Sequence, residues 1–227
     1  MPEIFWAYNR ASARVTAIPC WRLILSILLP LFPLDLVLFP GNPLPLHIFE
    51  PRYREMISEC VERSKPFGVV RAKEEGIAET GCTAEILSVS KKYDDGRMDI
   101  VTQGRERFEV VLVNQERAFL QAEVIYLPDD TGSATSEEKA RAMALYGEIM
   151  MLAGARPVDS SEVQEQQLSF HLAGSLPLDL DFKQTLLEMN SEAERVRAVI
   201  LFLESILPNL RRTVHVRQKA GGNGHAG

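Results

Sequence analysis

Apolar residues follow two different spacings along the chain, which separate a strand-forming part from a helix-forming part. Between residues 67 and 126, short apolar runs alternate with polar positions, and the intervening turns include Asp94-Asp95-Gly96, a hairpin signal. After Pro128, apolar residues recur every three or four positions. Short strands separated by turns are typical of a small barrel or sandwich. The pattern therefore predicts an α+β protein in which such a β structure precedes a set of helices.

The first predicted strands are rich in proline. Apolar residues 23–29 lead into Pro30 and Pro33, and residues 34–39 and 44–49 are predicted to be extended on either side of a Pro-Gly-Asn-Pro turn. Because proline has no backbone N–H, we expect these strands at a sheet edge or barrel rim. Further strands are predicted at 67–70, 82–89, 98–102, 108–112 and 120–126, with a charged, glycine-containing loop at 73–81.

One helix is predicted inside the strand-rich part. Glu50-Pro51 suits its first turn, since proline is favoured there. Five apolar residues then recur at helical spacing and form one stripe: Tyr53, Met56, Ile57, Cys60 and Val61. We expect this helix to end near Ser64, before Pro66.

The second part predicts four helices. A capping box at Thr135 and Glu138 begins a helix that runs to about Leu152, with Met143, Tyr146, Met150 and Met151 as expected packing contacts. The next helix is predicted over 159–173, and Asp179 begins a short one. Ser191 and Glu194 predict the cap of the last helix, whose apolar stripe spans 196–207.

Four segments follow from these patterns. Residues 1–22 are predicted to be a poorly ordered leader, in preference to an export signal, because no cleavage site follows the apolar run. The β subdomain is predicted at 23–130 and the helical subdomain at 131–212. Residues 213–227 end in a glycine-rich stretch and are predicted to be a disordered tail.

Charge and cysteine content narrow the class of protein. The chain has 227 residues and a formal net charge of −6, which disfavours nucleic acid as a partner. Its three cysteines make no disulfide framework, so we expect a reducing, cytoplasmic environment. No cysteine or histidine pair has the spacing of a zinc site, and no metal or other cofactor is expected.

Motifs for catalysis are absent from the sequence. It contains no phosphate-binding G-x-x-x-x-G-K-[ST] loop and no G-x-S-x-G nucleophile elbow. One G-x-G-x-x-G match occupies the last six residues, where no helix can follow, and it has no functional meaning. Cys60 and Cys82 are predicted to be small buried hydrophobic residues. A serine–lysine pair brought together by the fold stays open, but the sequence favours a protein that is not an enzyme and binds no nucleotide.

An ordered set of motifs resembles a known family. Residues 31–41, Leu-Phe-Pro-Leu-Asp-Leu-Val-Leu-Phe-Pro-Gly, and residues 44–53, Leu-Pro-Leu-His-Ile-Phe-Glu-Pro-Arg-Tyr, are similar to the opening of the Lon protease amino-terminal, substrate-binding domain. The similarity continues, in order, at 67–70, 81–86, 95–97 and 104–108, and extends through the helical part to about residue 210.

The resemblance implies both a fold and a role. It implies a PUA-like β pseudo-barrel with one inserted helix, followed by a helical bundle, in a bacterial stand-alone form without ATPase or protease domains. The implied role is non-catalytic binding of unfolded or specific protein segments, as an adaptor in protein quality control or proteolysis. Two alternatives stay open: an RNA-binding PUA-like module, and an enzyme of unrecognised type. No membrane association is expected.

Five residues near the first helix are candidates for binding: Phe39, Pro40, Phe49, Arg52 and Tyr53. Core packing is the favoured alternative for Phe39 and Phe49. For Arg52, the alternative is a structural role in which it fixes the strand-to-helix junction together with Glu50.

Overall fold

The computed structural model describes residues 27–130, 132–155 and 167–222, with side chains from Leu28 to Val214 within those ranges. The predicted leader, residues 1–22, lies outside them, as does most of the helix predicted over 159–173. The fold is of the predicted α+β class, with a six-stranded sheet and five helices in the described ranges.

Six strands form one sheet that closes on itself. They are β1 (Ile27–Leu34), β2 (Pro43–Ile48), β3 (Phe67–Lys73), β4 (Gly76–Lys92), β5 (Met98–Asn114) and β6 (Gln121–Tyr126). Their order is β2-β5-β4-β3-β1-β6, and β5 also pairs with β6. Five strands therefore complete a pseudo-barrel, and β2 lies on its outside, paired with β5 alone among the described strands.

The helices follow the predicted order. They are α1 (Pro51–Arg63), α2 (Ser136–Leu152), α3 (Leu168–Ser175), α4 (Leu180–Glu188) and α5 (Glu192–Gly222). The Thr135 hydroxyl accepts a hydrogen bond from the Glu138 N–H and completes the predicted capping box of α2. Asp179 caps α4, as expected. None of the helices in the described ranges is both long and apolar enough to cross a bilayer.

Of the two places predicted for the proline-rich strands, a sheet edge or a barrel rim, the edge is wrong for β1. β1 lies between β3 and β6, although Pro30 and Pro33 stand inside it. The prolines fit because each half of the strand pairs on one side: residues 27–30 with β6 and residues 31–34 with β3. The same prediction is confirmed for β2, an edge strand that contains Pro43 and Pro45.

Two further predictions about the barrel are wrong. Residues 34–39 are not a strand, because Leu38 and Phe39 turn into the core, and Phe39 stacks on Phe170 at 5.1 Å. The loop predicted at 73–81 is mostly strand, since Glu74 and Glu75 alone connect β3 to β4. Gly81 suggested a loop, but a Cβ there would lie 2.6 Å from the Val69 carbonyl oxygen, so close packing within the sheet requires this glycine.

Two predictions about the helical part also need correction. Met151 is 72% exposed, whereas the other three predicted contacts of α2, Met143, Tyr146 and Met150, do pack in or against the core. The tail predicted at 213–227 begins as helix, because α5 continues past Pro208 to Gly222. Residues 209–220 contain no glycine or proline that would end it. Residues 223–227 lie outside the described part of the chain.

The larger of two clusters of buried residues extends from the barrel into the helices, and the smaller, which includes Leu31 and Phe108, lies among the strands. The larger cluster contains Met56 and Ile100 from the barrel and Leu186, Val199 and Leu203 from the helices. The division into subdomains at residues 130 and 131 stays a prediction, although β6 ends at Tyr126 and α2 begins at Ser136.

A buried charged cluster also joins the two parts. The Arg107 guanidinium on β5 donates to the Leu187 and Met189 carbonyls, both at 2.9 Å, and to Asp129 at 2.6 Å. The Arg195 side chain on α5 is fully buried and donates to the same aspartate and to Glu192. Two cationic side chains are therefore paired with two carboxylates, and such pairing offsets the cost of burying charged side chains.

Candidate functional site

The five predicted binding residues do not form one surface. Phe39 and Tyr53 are buried, and Tyr53 stacks on Phe32 with ring centroids 4.1 Å apart. Pro40 is buried as well. Phe49 and Arg52 are exposed. The expectation of core packing is thus confirmed for Phe39 and wrong for Phe49, which is 60% exposed.

Phe49 is exposed because side chains alternate along an extended chain. Ile48 points into the core, so His47 and Phe49 on either side of it face solvent. The His47 ring stacks on Phe49 at 6.0 Å, and its Nδ1 lies 2.5 Å from Asp99 Oδ1. The Tyr93 hydroxyl donates to the other Asp99 oxygen at 2.9 Å. His47, Phe49 and Tyr93 therefore form a small aromatic surface, in which hydrogen bonds to the Asp99 carboxylate fix His47 and Tyr93.

Arg52 supports the strand-to-helix junction. Its Nε donates to Glu50 Oε2 at 2.9 Å, and its guanidinium lies 4.6 Å from the centre of the Tyr53 ring. Glu50 is the residue that precedes α1. These contacts agree with the structural alternative for Arg52, and its exposed position leaves it available to a partner as well.

A cavity of about 490 Å³ lies between the end of α1 and the middle of β4, and we call it the α1–β4 groove. Its α1 side is formed by Val61, Ser64, Lys65 and Pro66, and its β4 side by residues 85–89. Leu87 is 52% exposed there, whereas Ile86 and Val89 are half-buried. Apolar side chains therefore line part of this open groove, and polar ones, among them Thr83, Ser88 and Arg105, line the rest.

Local structure explains why the groove exists. Ser64 adopts a left-handed conformation with φ 50°, which ends α1, and Pro66 then leads into β3. β3 pairs with β4 only as far as Ala84, so β4 continues past the point where β3 begins. The β4–β5 register shifts between Ile86 and Ser88, and Leu87 is the extra residue of this bulge. A bulge redirects side chains, which accounts for the exposed leucine.

A second cavity, of about 420 Å³, lies on the other side of the α1 end. It shares Cys60, Lys65 and Pro66 with the groove. Leu28 and Pro30 of β1 line it, and Leu28 is 48% exposed. Apolar surface therefore continues around the end of α1.

Charges at the rim of the groove are partly paired. Arg105 Nε donates to Glu85 Oε2 at 2.5 Å across the neighbouring strands. The exposed Lys65 ammonium has no carboxylate partner among the residues with described side chains. The exposed Glu106 carboxylate, also in the lining, likewise has no ion-pair partner among the residues with described side chains, so the groove carries one unpaired charge of each sign.

The thiol in the groove is not activated. Burial, and secondarily the neighbouring Glu59 carboxylate, raises the pKa of Cys60 to about 11. Burial likewise raises the pKa of Cys82 to about 12. Both thiols are therefore protonated at neutral pH, and the thiolate is the form that acts as a nucleophile. The prediction that both cysteines are buried is confirmed.

No pattern in the sequence clearly indicated the groove. Leu87 has the alternation of an ordinary strand residue, and the bulge that exposes it depends on its pairing with β5. Val61 belongs to the predicted apolar stripe of α1 but is only half-buried, at the side of that stripe that faces the groove.

A closed barrel packed on a helical bundle is the architecture of one class of domain. The chain belongs to the family described as the ATP-dependent protease La (LON) substrate-binding domain, whose model matches residues 28–205. The predicted resemblance is thereby confirmed.

Related proteins agree with this assignment. Lon protease 2 of Myxococcus xanthus is 31% identical over 192 residues, which are 77% of this chain and 23% of that protein. The Lon protease of Paraburkholderia phytofirmans is 27% identical over 230 residues, 94% of this chain and 28% of that one. The chain therefore spans about a quarter of the length of these relatives.

Solved structures show the same fold. The crystal structure of a Lon N-terminal domain protein from Xanthomonas campestris has a TM-score of 0.63 and 26% identity, and the match covers 77% of this chain and 98% of that one. The N-terminal domain of a Mycobacterium avium complex Lon protease has a TM-score of 0.57 and 22% identity, and the match covers 78% and 98%.

Proposed function

We propose that this chain binds unfolded or extended segments of other proteins in the α1–β4 groove and does not itself process them. The observation that carries the proposal is the exposed Leu87 in a cavity of about 490 Å³ that apolar side chains line in part. That volume lies in the range of pockets that hold a ligand, and apolar lining favours apolar side chains. Membership of a substrate-binding family supports a protein ligand.

The aromatic surface around Phe49 is a second proposed contact. Phe49 and Arg52 are accessible there, and aromatic and arginine side chains are enriched where proteins meet. Among the other predicted residues, Phe39, Pro40 and Tyr53 would act indirectly, because they hold the segments on either side of β2 in the core.

Surface charge favours protein over RNA. Six exposed arginines in the described part of the chain pair with carboxylates, which reduces the positive charge that RNA binding needs. These arginines are Arg52, Arg97, Arg105, Arg141, Arg197 and Arg211. The raised thiol pKa values speak against cysteine-based catalysis, which supports a non-catalytic module.

The relatives support an adaptor role. These relatives are Lon proteases, and the match with this chain covers about a quarter of the length of each. We infer that this chain presents bound segments to a proteolytic machine, in the same polypeptide or in a separate one. The predicted cytoplasmic location is part of this proposal and accords with the free, buried Cys60 and Cys82.

A binding assay with an unfolded protein tests the proposal. Reduced, carboxymethylated α-lactalbumin carrying a fluorescent label serves as the probe, and binding is read as anisotropy. We expect Leu87→Ser to weaken binding roughly fivefold, since the exposed part of a leucine contributes on the order of 1 kcal/mol when covered.

Leu201→Ser is the matched control, because Leu201 is 68% exposed on α5 and lies outside the groove. It should bind the probe as the unaltered protein does. Equal affinity for both variants, or no binding of the probe by the unaltered protein, would count against the proposal.

A further inference from the structure

We propose that the partner segment binds by strand addition: it pairs with the free edge of β4 at residues 85–92, between β4 and the end of α1. This inference rests on the proposed function and specifies how the segment is held. In this mode, backbone hydrogen bonds provide affinity, and pockets for side chains provide selectivity.

The first support is an unpaired strand edge. Beyond Ala84, β4 pairs with β5 on one side, and β3 no longer covers the other. No backbone hydrogen bond joins residues 85–92 to any segment of the described chain except β5. An edge with free N–H and C=O groups is a template for another strand.

The second support is the contrast with the opposite edge of the sheet. β2 carries Pro43 and Pro45, which lack the N–H groups that an added strand needs. Residues 85–92 of β4 contain no proline. One exposed edge is therefore blocked by its own sequence, whereas the edge beside the groove keeps every donor.

The groove next to this edge defines the occupant. It has apolar walls at Val61, Pro66 and Leu87, and the unpaired Lys65 lies at the rim. A short extended segment of another protein, with apolar residues for these walls and a carboxylate that reaches Lys65 and not the unpaired Glu106, complements this surface.

The bulges of β4 limit the length of the partner strand. The register with β5 shifts between Ile86 and Ser88, and again between Val89 and Lys91. Each bulge bends the strand and interrupts regular pairing. The added strand is therefore short, with its pairing centred on residues 85–89. The same bulges protect the open edge from pairing with a second, long flat strand.

Hydrogen exchange measured with saturating probe tests strand addition. With reduced, carboxymethylated α-lactalbumin bound to the full chain, we expect amides in residues 85–89 to exchange roughly tenfold more slowly. Amides in β2, residues 43–48, should be unaffected. With a carbon-13-labelled probe, infrared spectra should show that the bound segment gains extended-strand structure.

The outcomes separate this inference from the proposed function. If the probe binds and Leu87→Ser weakens it, but exchange at 85–89 does not change, strand addition is wrong and binding through side chains stands. If the probe does not bind at all, both proposals fail.

Charge reversal tests the chemistry of the occupant. The probe carries many carboxylates, so Lys65→Glu should weaken its binding severalfold at low salt. Lys73→Glu makes the same change in net charge at an exposed lysine outside the groove and should have no effect. Equal effects of the two variants would overturn the proposed complementarity.

Discussion

Arg195 and Asp129 form a bidentate ion pair that joins α5 to the segment after β6. Nη1 of the arginine lies 3.1 Å from Oδ1, and Nη2 lies 2.7 Å from Oδ2. The arginine side chain is fully buried, and its guanidinium also lies 4.1 Å from the centre of the Phe170 ring. Removal of the Asp129 carboxylate leaves two buried guanidinium groups, those of Arg107 and Arg195, with Glu192 as the one remaining carboxylate of this cluster.

We therefore expect Asp129→Asn to destabilise the protein by about 3 kcal/mol, because unpaired buried charge is costly. The free energy of unfolding in urea measures the loss. Glu204→Gln is the control, since it breaks the exposed Arg141–Glu204 pair and should cost less than about 1 kcal/mol. Similar losses in both variants would contradict a special role for the buried pair.

The capping residue of α2 should make stability depend on pH. The Arg197 side chain, together with the bonds from Thr135, lowers the pKa of Glu138 to about 2 from its ordinary value of 4.5. A carboxylate whose pKa is lower in the folded than in the unfolded state stabilises the fold when the pH is above its unfolded-state pKa. That stabilisation is lost as the pH falls towards its folded-state pKa. We expect Glu138→Gln to lower the melting temperature at pH 7.

The difference between Glu138→Gln and the unaltered protein should shrink between about pH 4.5 and pH 2, the window set by the two pKa values. Melting curves across this range provide the measurement. Glu137→Gln, one residue away, should behave as the unaltered protein. A melting-temperature difference that is the same at pH 7 and pH 2 would rule out this linkage.

Two glycines should respond in opposite ways to alanine. A Cβ on Gly104 would lie 2.1 Å from the Phe39 carbonyl oxygen, at the point where the Gly104 and Gly41 backbones are hydrogen-bonded. We expect Gly104→Ala to destabilise by roughly 2–4 kcal/mol, as overpacking against backbone does.

Gly147→Ala is the counterpart on α2, where nothing lies within 4 Å of the added carbon. It should stabilise by about 0.5–1 kcal/mol, because alanine favours helix over glycine. Urea unfolding compares the two variants. Loss of stability in Gly147→Ala, or none in Gly104→Ala, would contradict the packing described.

The groove thiol should be unreactive in the folded protein. With pKa values of about 11 and 12, Cys60 and Cys82 are almost entirely protonated at pH 8. In a Cys20→Ser background, which removes the remaining cysteine, a thiol-reactive disulfide dye should react slowly until denaturant is added. Rapid stoichiometric reaction of the native protein would reopen the possibility of cysteine chemistry.

Helices were predictable because their signals are local. The stripe of α1, the capping box at Thr135 and the cap at Asp179 are each set by residues within a few positions. Barrel features depend on distant partners instead. The two-sided pairing of β1, the tight packing at Gly81 and the bulge at Leu87 all involve strands separated in sequence.

The same distinction explains the candidate site. Phe39 and Phe49 both lie in apolar, proline-containing segments of the sequence. Phe39 nevertheless stacks on Phe170, whereas Phe49 is exposed to solvent. Nothing within a short window distinguishes them, since the deciding contact lies more than a hundred residues away. The groove was missed for this reason as well: it exists only where β3 has left β4.

Phe39 and Phe170 bring the first loop of the barrel and a helix of the bundle into one stack. Such shared burial couples the folding of the two parts, so melting should occur as a single cooperative transition. Neither part would keep its shape if expressed alone. The groove would then keep its structure up to the melting temperature. Binding of a partner would be lost within the same narrow temperature range in which the whole domain unfolds.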